Sequence, residues 1–202
     1  MIEFIINYQD KWTKALIEHL ELVFVSLVIS VLIAMILTII SLYSKQFSKL
    51  IVYFFSVIYS IPSLALFSLL IPFTGLGKET ALIGLIVYSQ YILLRNFISG
   101  INSIDNSIIE SAVGMGLSTL QTFYMIQLPL AKRSIVTGIR LTIISTVGIA
   151  TIAASINAGG LGTILFDGLR TMNTNKIIWG SVLSAGLALG LNYILSKVEQ
   201  RI

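Results

Sequence analysis

Five long apolar runs without a charged residue, at 22–44, 50–77, 80–94, 141–166 and 177–196, are separated by stretches where the charges collect, the longest at 95–140. Runs of this kind predict membrane-spanning helices. About 20 apolar residues cross a hydrocarbon core of ~30 Å, and lipid offers no partner to an unpaired backbone amide. The predicted class is all-α: a polytopic membrane protein of about five transmembrane helices, with 1–202 a single transmembrane domain. The third run is short for that thickness. It is expected to extend past Arg95, whose long side chain can snorkel toward headgroups.

The second run is too long for one straight helix and contains Pro62 and Pro72, each of which removes a backbone donor and crowds the preceding turn. A kink or break is predicted at 60–63. Two readings stand: a packing kink, or a broken helix whose bared backbone groups face protein or a water-filled cavity. Near the end of the fourth run, Gly159, Gly160 and Gly162 punctuate INAGGLGTILFDG, which predicts a loop or re-entrant turn.

Composition sharpens this picture. The 202 residues are 56% hydrophobic and 11% charged, with mean hydropathy +0.94, which excludes an ordinary soluble domain and leaves no room for a second, catalytic one. The net charge of +4 is scattered at the ends of apolar runs, so it points to orientation in a bilayer rather than to nucleic acid. The absence of cysteine excludes disulfides and thiol chemistry. The first twenty residues mix acids and bases without a basic leader or a small-residue cleavage site, so the amino terminus is expected to be retained. His19, the only histidine, has no metal-ligand companion and is expected on an exposed helix surface. Neither a metal site nor a catalytic residue is expected. Gly75-Leu76-Gly77-Lys78-Glu79 does not supply a phosphate-cradling GxxxxGK[ST] loop, so no cofactor is expected on this chain.

One polar, glycine-punctuated segment interrupts the apolar pattern: ESAVGMGLSTLQTFYMIQLP, residues 110–129. It reads Glu110-Ser111-Ala112, three residues, Gly116, nine residues, then Ile126, Leu128 and Pro129. Two short helices, 107–114 and 118–125, are predicted to meet near Gly116, with Pro129 ending the second. The segment resembles the EAA loop of ABC importer permeases, with Ser111 in place of the usual alanine. Six matched positions arise by chance at about one start in ten million. The resemblance implies a cytoplasmic helix-turn-helix, within a loop of about 101–135, held in a cleft of an ATPase dimer that carries ATP and Mg. Ala112 and Gly114 would leave room for that partner, Met115 and Leu117 would offer adaptable contact, and Glu110 would hold the loop by hydrogen bonds. The plain alternative is an ordinary connection between spans.

With this loop in the cytoplasm, Lys45, Lys49, Arg95, Lys132, Arg133, Arg140, Lys197 and Arg201 lie inside, against Lys11, Lys14, Lys78, Arg170 and Lys176 outside. The positive-inside rule agrees. Glu3, Asp10, Glu18, Glu21, Glu79 and Asp167 then lie outside. The amino terminus is expected outside the cell membrane and the carboxyl terminus in the cytoplasm.

The spans and loop together resemble the small importer permeases related to the methionine permease. That implies a second permease subunit, identical or homologous, and an external binding protein, expected as a separate chain because this one stops at Ile202. IPSLALF at 61–67, PFTGLG at 72–77 and AGGLG at 158–162 resemble the osmoprotectant branch, which carries glycine betaine, carnitine and choline. Quaternary amines cannot donate hydrogen bonds and are held mainly over aromatic faces. Tyr59 beside Pro62 and Ser63, Tyr88 and Tyr91 on the third span, and Asn157 are the candidate passage lining; interface anchoring is the competing reading for the tyrosines. An amino-acid or methionine importer, and a non-transport scaffold or sensor, are the alternative functions.

Overall fold

The computed structural model describes residues 9–201, with side chains from residue 11. The expected retention of the amino terminus and the expected external positions of Glu3 and the Asp10 side chain fall on residues outside those described. Helices α1 (Gln9–Ser41), α4 (Lys78–Asn102), α8 (Lys132–Ala153) and α10 (Thr174–Gln200) are each long and apolar enough to cross a membrane. Helices α2 (Lys45–Tyr59) and α3 (Ser63–Thr74) make a fifth, bent pair whose axes turn by 97° at Pro62. Pro72 lies inside α3 without breaking it, two residues from the helix end. The third span reaches Asn102, seven residues past Arg95.

The fourth apolar run is not a single span. α8 starts at Lys132, nine residues before the run, and ends at Ala153. A 3-10 turn (Ala154–Ile156) and left-handed Asn157 then reverse the chain into α9 (Gly162–Arg170). Apolar composition alone does not separate a span from a buried turn, because both exclude water.

α4 is the central element, packed against α1, α2, α3 and α8. Leu93, Leu94 and Phe97 are fully buried with Ala34 of α1. Since lipid tails are as apolar as leucine, helix association here relies on close contact of small residues. A Cβ at Gly138 would lie 2.7 Å from the Asn96 Cβ, so glycine there sets how closely α8 approaches α4. Two fully buried threonine hydroxyls are satisfied within their own helices: Thr38 donates to the Ala34 carbonyl at 2.7 Å and Thr142 to the Gly138 carbonyl at 2.8 Å.

His19 is not on the surface; it is fully buried. The turn before α9 folds against α1, and its amides need acceptors. Gly160 N–H donates to Glu18 Oε2 at 3.1 Å and Leu161 N–H to His19 Nδ1 at 3.3 Å. Gly160 has φ +82, and a Cβ there would lie 2.9 Å from His19 Nδ1, so both conformation and space require glycine. At the opposite end, Arg140 of α8 pairs with Glu199 of α10 at 2.6 Å and donates to Asn192 at 2.8 Å, tying those helices together.

Candidate coupling hairpin and aromatic recess

The segment between α4 and α8 forms a helical hairpin. Asp105 opens its first arm, α5 (Asn106–Gly114), by accepting from Ser107 N–H at 2.8 Å. That bond, with one from the Ser107 side chain, holds the Asp105 carboxyl below the usual carboxylate range. Gly116, with φ +86, makes the turn. Leu117 N–H then bonds back to the Ala112 carbonyl at 3.1 Å, satisfying a helix-end acceptor. The second arm, α6 (Thr119–Thr122), begins with a reciprocal capping box between Ser118 and Gln121.

This arm passes into a π-turn (Phe123–Gln127) and a last short piece, α7 (Leu128–Leu130). Leu128 N–H bonds to Phe123, five residues back. Pro129 follows directly; it offers no N–H and would crowd an ordinary α-turn, so the widened turn accommodates it. The chain finally bends at Ala131, two residues beyond the proline.

Two expected roles change. Ala112 is fully buried inside the hairpin and offers nothing to a partner. Glu110 is exposed, and its carboxylate has no hydrogen-bond or ion-pair partner among the described residues, so it does not hold the loop. Ser111 is exposed and donates to the Ser107 carbonyl at 2.7 Å. The open crown consists of Gly114 and Gly116, where an added Cβ would meet nothing within 4 Å, flanked by exposed Val113 and by Met115 at 73% exposure. Leu117, Ile126 and Leu128 are half-buried and Pro129 is exposed. Phe123 is the residue sequence reasoning missed. It is fully buried against Ile101 of α4 and Ala131, with Met35 and Ile39 of α1 beside it, and so fixes the hairpin to the bundle. Its flanking Tyr124 and Met125 are exposed, which hides the anchoring position in an unbroken apolar stretch.

The second site lies beside the break at Pro62. Tyr59 stacks at a tilt on Tyr91, centroids 4.9 Å apart, and edge-on to Tyr88 at 5.6 Å. The three tyrosines thus form one cluster, but they differ in what they face. Tyr88 is 4% exposed, and its hydroxyl donates to the Ile61 carbonyl left open by the break, so it holds the bend rather than lining a passage. Tyr59 and Tyr91 line a recess of about 520 Å³ with Ile92, Arg95, Asn96, Leu141, Ile144 and Ser145. Pro62 starts α3 as an exposed residue, half-buried Ser63 follows it, and neither lines the recess. Asn157 is remote from it: its carbonyl is 3.9 Å from where a Gly77 Cβ would be, at the start of α4. Arg95, read from sequence as snorkelling toward headgroups, lines the recess instead; its guanidinium donates to the Tyr91 hydroxyl at 2.8 Å.

Residues 26–202 match the binding-protein-dependent transport system inner membrane component. The chain belongs to this family. It is a permease subunit of an ABC importer, and its relatives carry names consistent with that. The choline transport system permease protein OpuBB of Bacillus subtilis (strain 168) is 33% identical over 185 residues, 92% of this chain and 85% of that protein. The glycine betaine/carnitine/choline transport system permease protein OpuCB of the same strain is 32% identical with the same coverage. The carnitine transport permease protein OpuCB of Listeria monocytogenes is 31% identical over 198 residues, 96% of this chain and 91% of that protein. Among solved structures, an inward-facing MetNI methionine ABC transporter superposes with TM-score 0.85 at 22% identity, covering 96% of this permease and 97% of that chain. That likeness establishes the fold.

Proposed function

We propose that this permease subunit imports quaternary-amine osmoprotectants of the glycine betaine, carnitine and choline class. A separate cytoplasmic ATPase dimer, which holds the ATP and Mg, drives the import, and an external binding protein delivers the solute. Two permease subunits, identical or homologous, enclose the path, as a closed two-fold assembly requires. The amino terminus lies outside and the carboxyl terminus in the cytoplasm. Lys132 and Arg133 directly follow the hairpin, and Lys45 and Lys49 share a cleft with its Asn106, Ile109 and Gln127, in keeping with a cytoplasmic face.

The observation that carries the coupling role is the hairpin crown: a capped, self-satisfied helix pair with Gly114 and Gly116 open to approach and exposed Val113 and Met115 beside them. Exposed apolar side chains flanking two open glycines fit insertion into a partner's cleft. Phe123 offers a rigid path from that cleft to α4 and α1. Closing the ATPase dimer then shifts the helices between outward- and inward-open states by the difference in binding energy to each. The solute class rests on the relatives' names and on the two tyrosine faces, which suit a cation that cannot donate hydrogen bonds.

The test is mass spectrometry of what co-purifies with the gently solubilised chain, compared with Gly116→Trp. Recovery of an ATPase bearing a GxxxxGK[ST] loop, lost in the variant, supports the proposal. Recovery of no ATPase, under conditions that preserve a known membrane complex, counts against it.

A further inference from the structure

We infer that the recess beside Tyr59 and Tyr91 is a binding site for zwitterionic quaternary amines, in which Arg95 takes the carboxylate and the two tyrosines take the ammonium. This rests on the quaternary-amine reading above and adds a selectivity to it: amines that lack a carboxylate are disfavoured.

Two arginines lie well inside the span helices, Arg95 in α4 and Arg140 in α8, whereas Arg133 sits in the first turn of α8. Arg140 is neutralised by Glu199 at 2.6 Å. Arg95 has no carboxylate partner among the described residues. Its polar contact is the Tyr91 hydroxyl, one helical turn earlier. Arg95 sits about 10 Å inside the Asn102 end of its helix at 1.5 Å per residue, and its guanidinium turns back toward Tyr91, away from that end. An unneutralised cation so placed is costly unless something visits it.

The surroundings fit a small zwitterion. Arg95 is exposed on the outward face of the chain, with Asn96, Ser145, Tyr59 and Tyr91 lining the same recess. Such a polar face at span depth belongs against a water-filled path rather than lipid. Its volume of about 520 Å³ lies within the usual range for small-ligand sites. The guanidinium carbon lies over the Tyr91 ring, 5.9 Å from its centre, and Tyr59 stacks on that tyrosine at 4.9 Å, so the donor fork and the aromatic pair are adjacent. Glycine betaine and carnitine carry a carboxylate a few bonds from a trimethylammonium group, and each end has a partner here: the planar donor fork for the carboxylate and the ring faces for the ammonium. Choline brings only the cation. Beside Arg95 it meets repulsion without compensation.

The experiment measures binding of radiolabelled glycine betaine, carnitine and choline by equilibrium dialysis. It uses the purified permease–ATPase complex without binding protein, as wild type, Arg95→Gln and Arg95→Lys. The wild type is expected to bind glycine betaine and carnitine more tightly than choline. Arg95→Gln should weaken both by about tenfold or more and leave choline unchanged or tighter, while Arg95→Lys loses less. Equal weakening of all three solutes, no change in any, or a wild type that holds choline as tightly as glycine betaine overturns the inference. Uptake by vesicles containing the wild-type complex and its binding protein is measured in parallel. Failure to bind any of the three while such vesicles still import one overturns this site and leaves the proposed function standing. Vesicles that import none of the three overturn both.

Discussion

Replacing Gly114 with tryptophan is expected to strengthen the hairpin and weaken what it does. Gly114 is the last residue of α5, and a Cβ there would meet nothing within 4 Å. Its backbone is helical, so any other residue relieves the entropic cost of glycine, a gain of about 0.5 kcal/mol at a helix end. That corresponds to roughly a twofold drop in local opening. An indole standing on the crown also occupies the space a partner's cleft must fill. Disrupting the centre of a packed interface costs at least about 2 kcal/mol, roughly thirtyfold in Kd. Hydrogen exchange of amides 106–122 reads the first effect, and titration of the purified ATPase onto the reconstituted permease reads the second. Greater protection with weakened binding is expected, and Gly114→Ala should show the same protection with a smaller loss of affinity. A Gly114→Trp permease that binds the ATPase as tightly as wild type would refute the assignment of the crown as the docking surface.

Other residues give independent checks. Phe123→Ala removes a fully buried ring, at a cost of about 3–5 kcal/mol; limited proteolysis should cut the hairpin faster while α10 stays protected, and unchanged cleavage would deny Phe123 its anchoring role. Gly138→Leu forces α8 away from Asn96, whereas Gly148→Ala enters open space; thermal unfolding in detergent should fall for the first and stay near wild type for the second. Asp105 has its carboxyl pKa lowered by the Ser107 bonds, so its cap stabilises α5 at neutral pH and is lost as pH falls through that lowered value. Exchange of the Ser107 amide should therefore speed up below the carboxylate range in wild type, after correction for intrinsic exchange. It should be pH-insensitive in Asp105→Asn, which keeps an acceptor, and fast throughout in Asp105→Ala.

Much of the architecture is legible in the chain because lipid enforces it. Most of each charge-free run becomes helix and Pro62 interrupts one, so four spans and a bent fifth follow from one-dimensional pattern, while the turn inside 141–166 does not. The hairpin is legible for a different reason: Gly116 is a local turn signal, and its N–H bonds to the Val113 carbonyl only three residues back. Long-range pairings were not legible. Glu18 and His19 serve amides 142 residues away, and nothing beside them in sequence announces that use. The same holds for Tyr88, which lies within one helical turn of Tyr91 yet is turned to the Ile61 carbonyl. Arg95 looked like a headgroup anchor because the apolar run stops there. The helix continues to Asn102, where Phe97, Gly100 and Ile101 on its buried side pack against α8 and the hairpin base. Ala112 shows the limit of a motif, which fixes a position in a turn without saying which face of it is buried.

The most direct test of the account is ATP-driven accumulation of radiolabelled glycine betaine, carnitine and choline in vesicles that contain the permease, its ATPase and its binding protein, with Gly116→Trp alongside. A Cβ at Gly116 meets nothing within 4 Å, and its φ of +86 adds about 1–2 kcal/mol of local strain, so the variant should insert normally. The account predicts accumulation of at least one of the three solutes by the wild type and its loss in Gly116→Trp. Wild-type accumulation by the variant, or no accumulation of any of the three by the wild type, would contradict it.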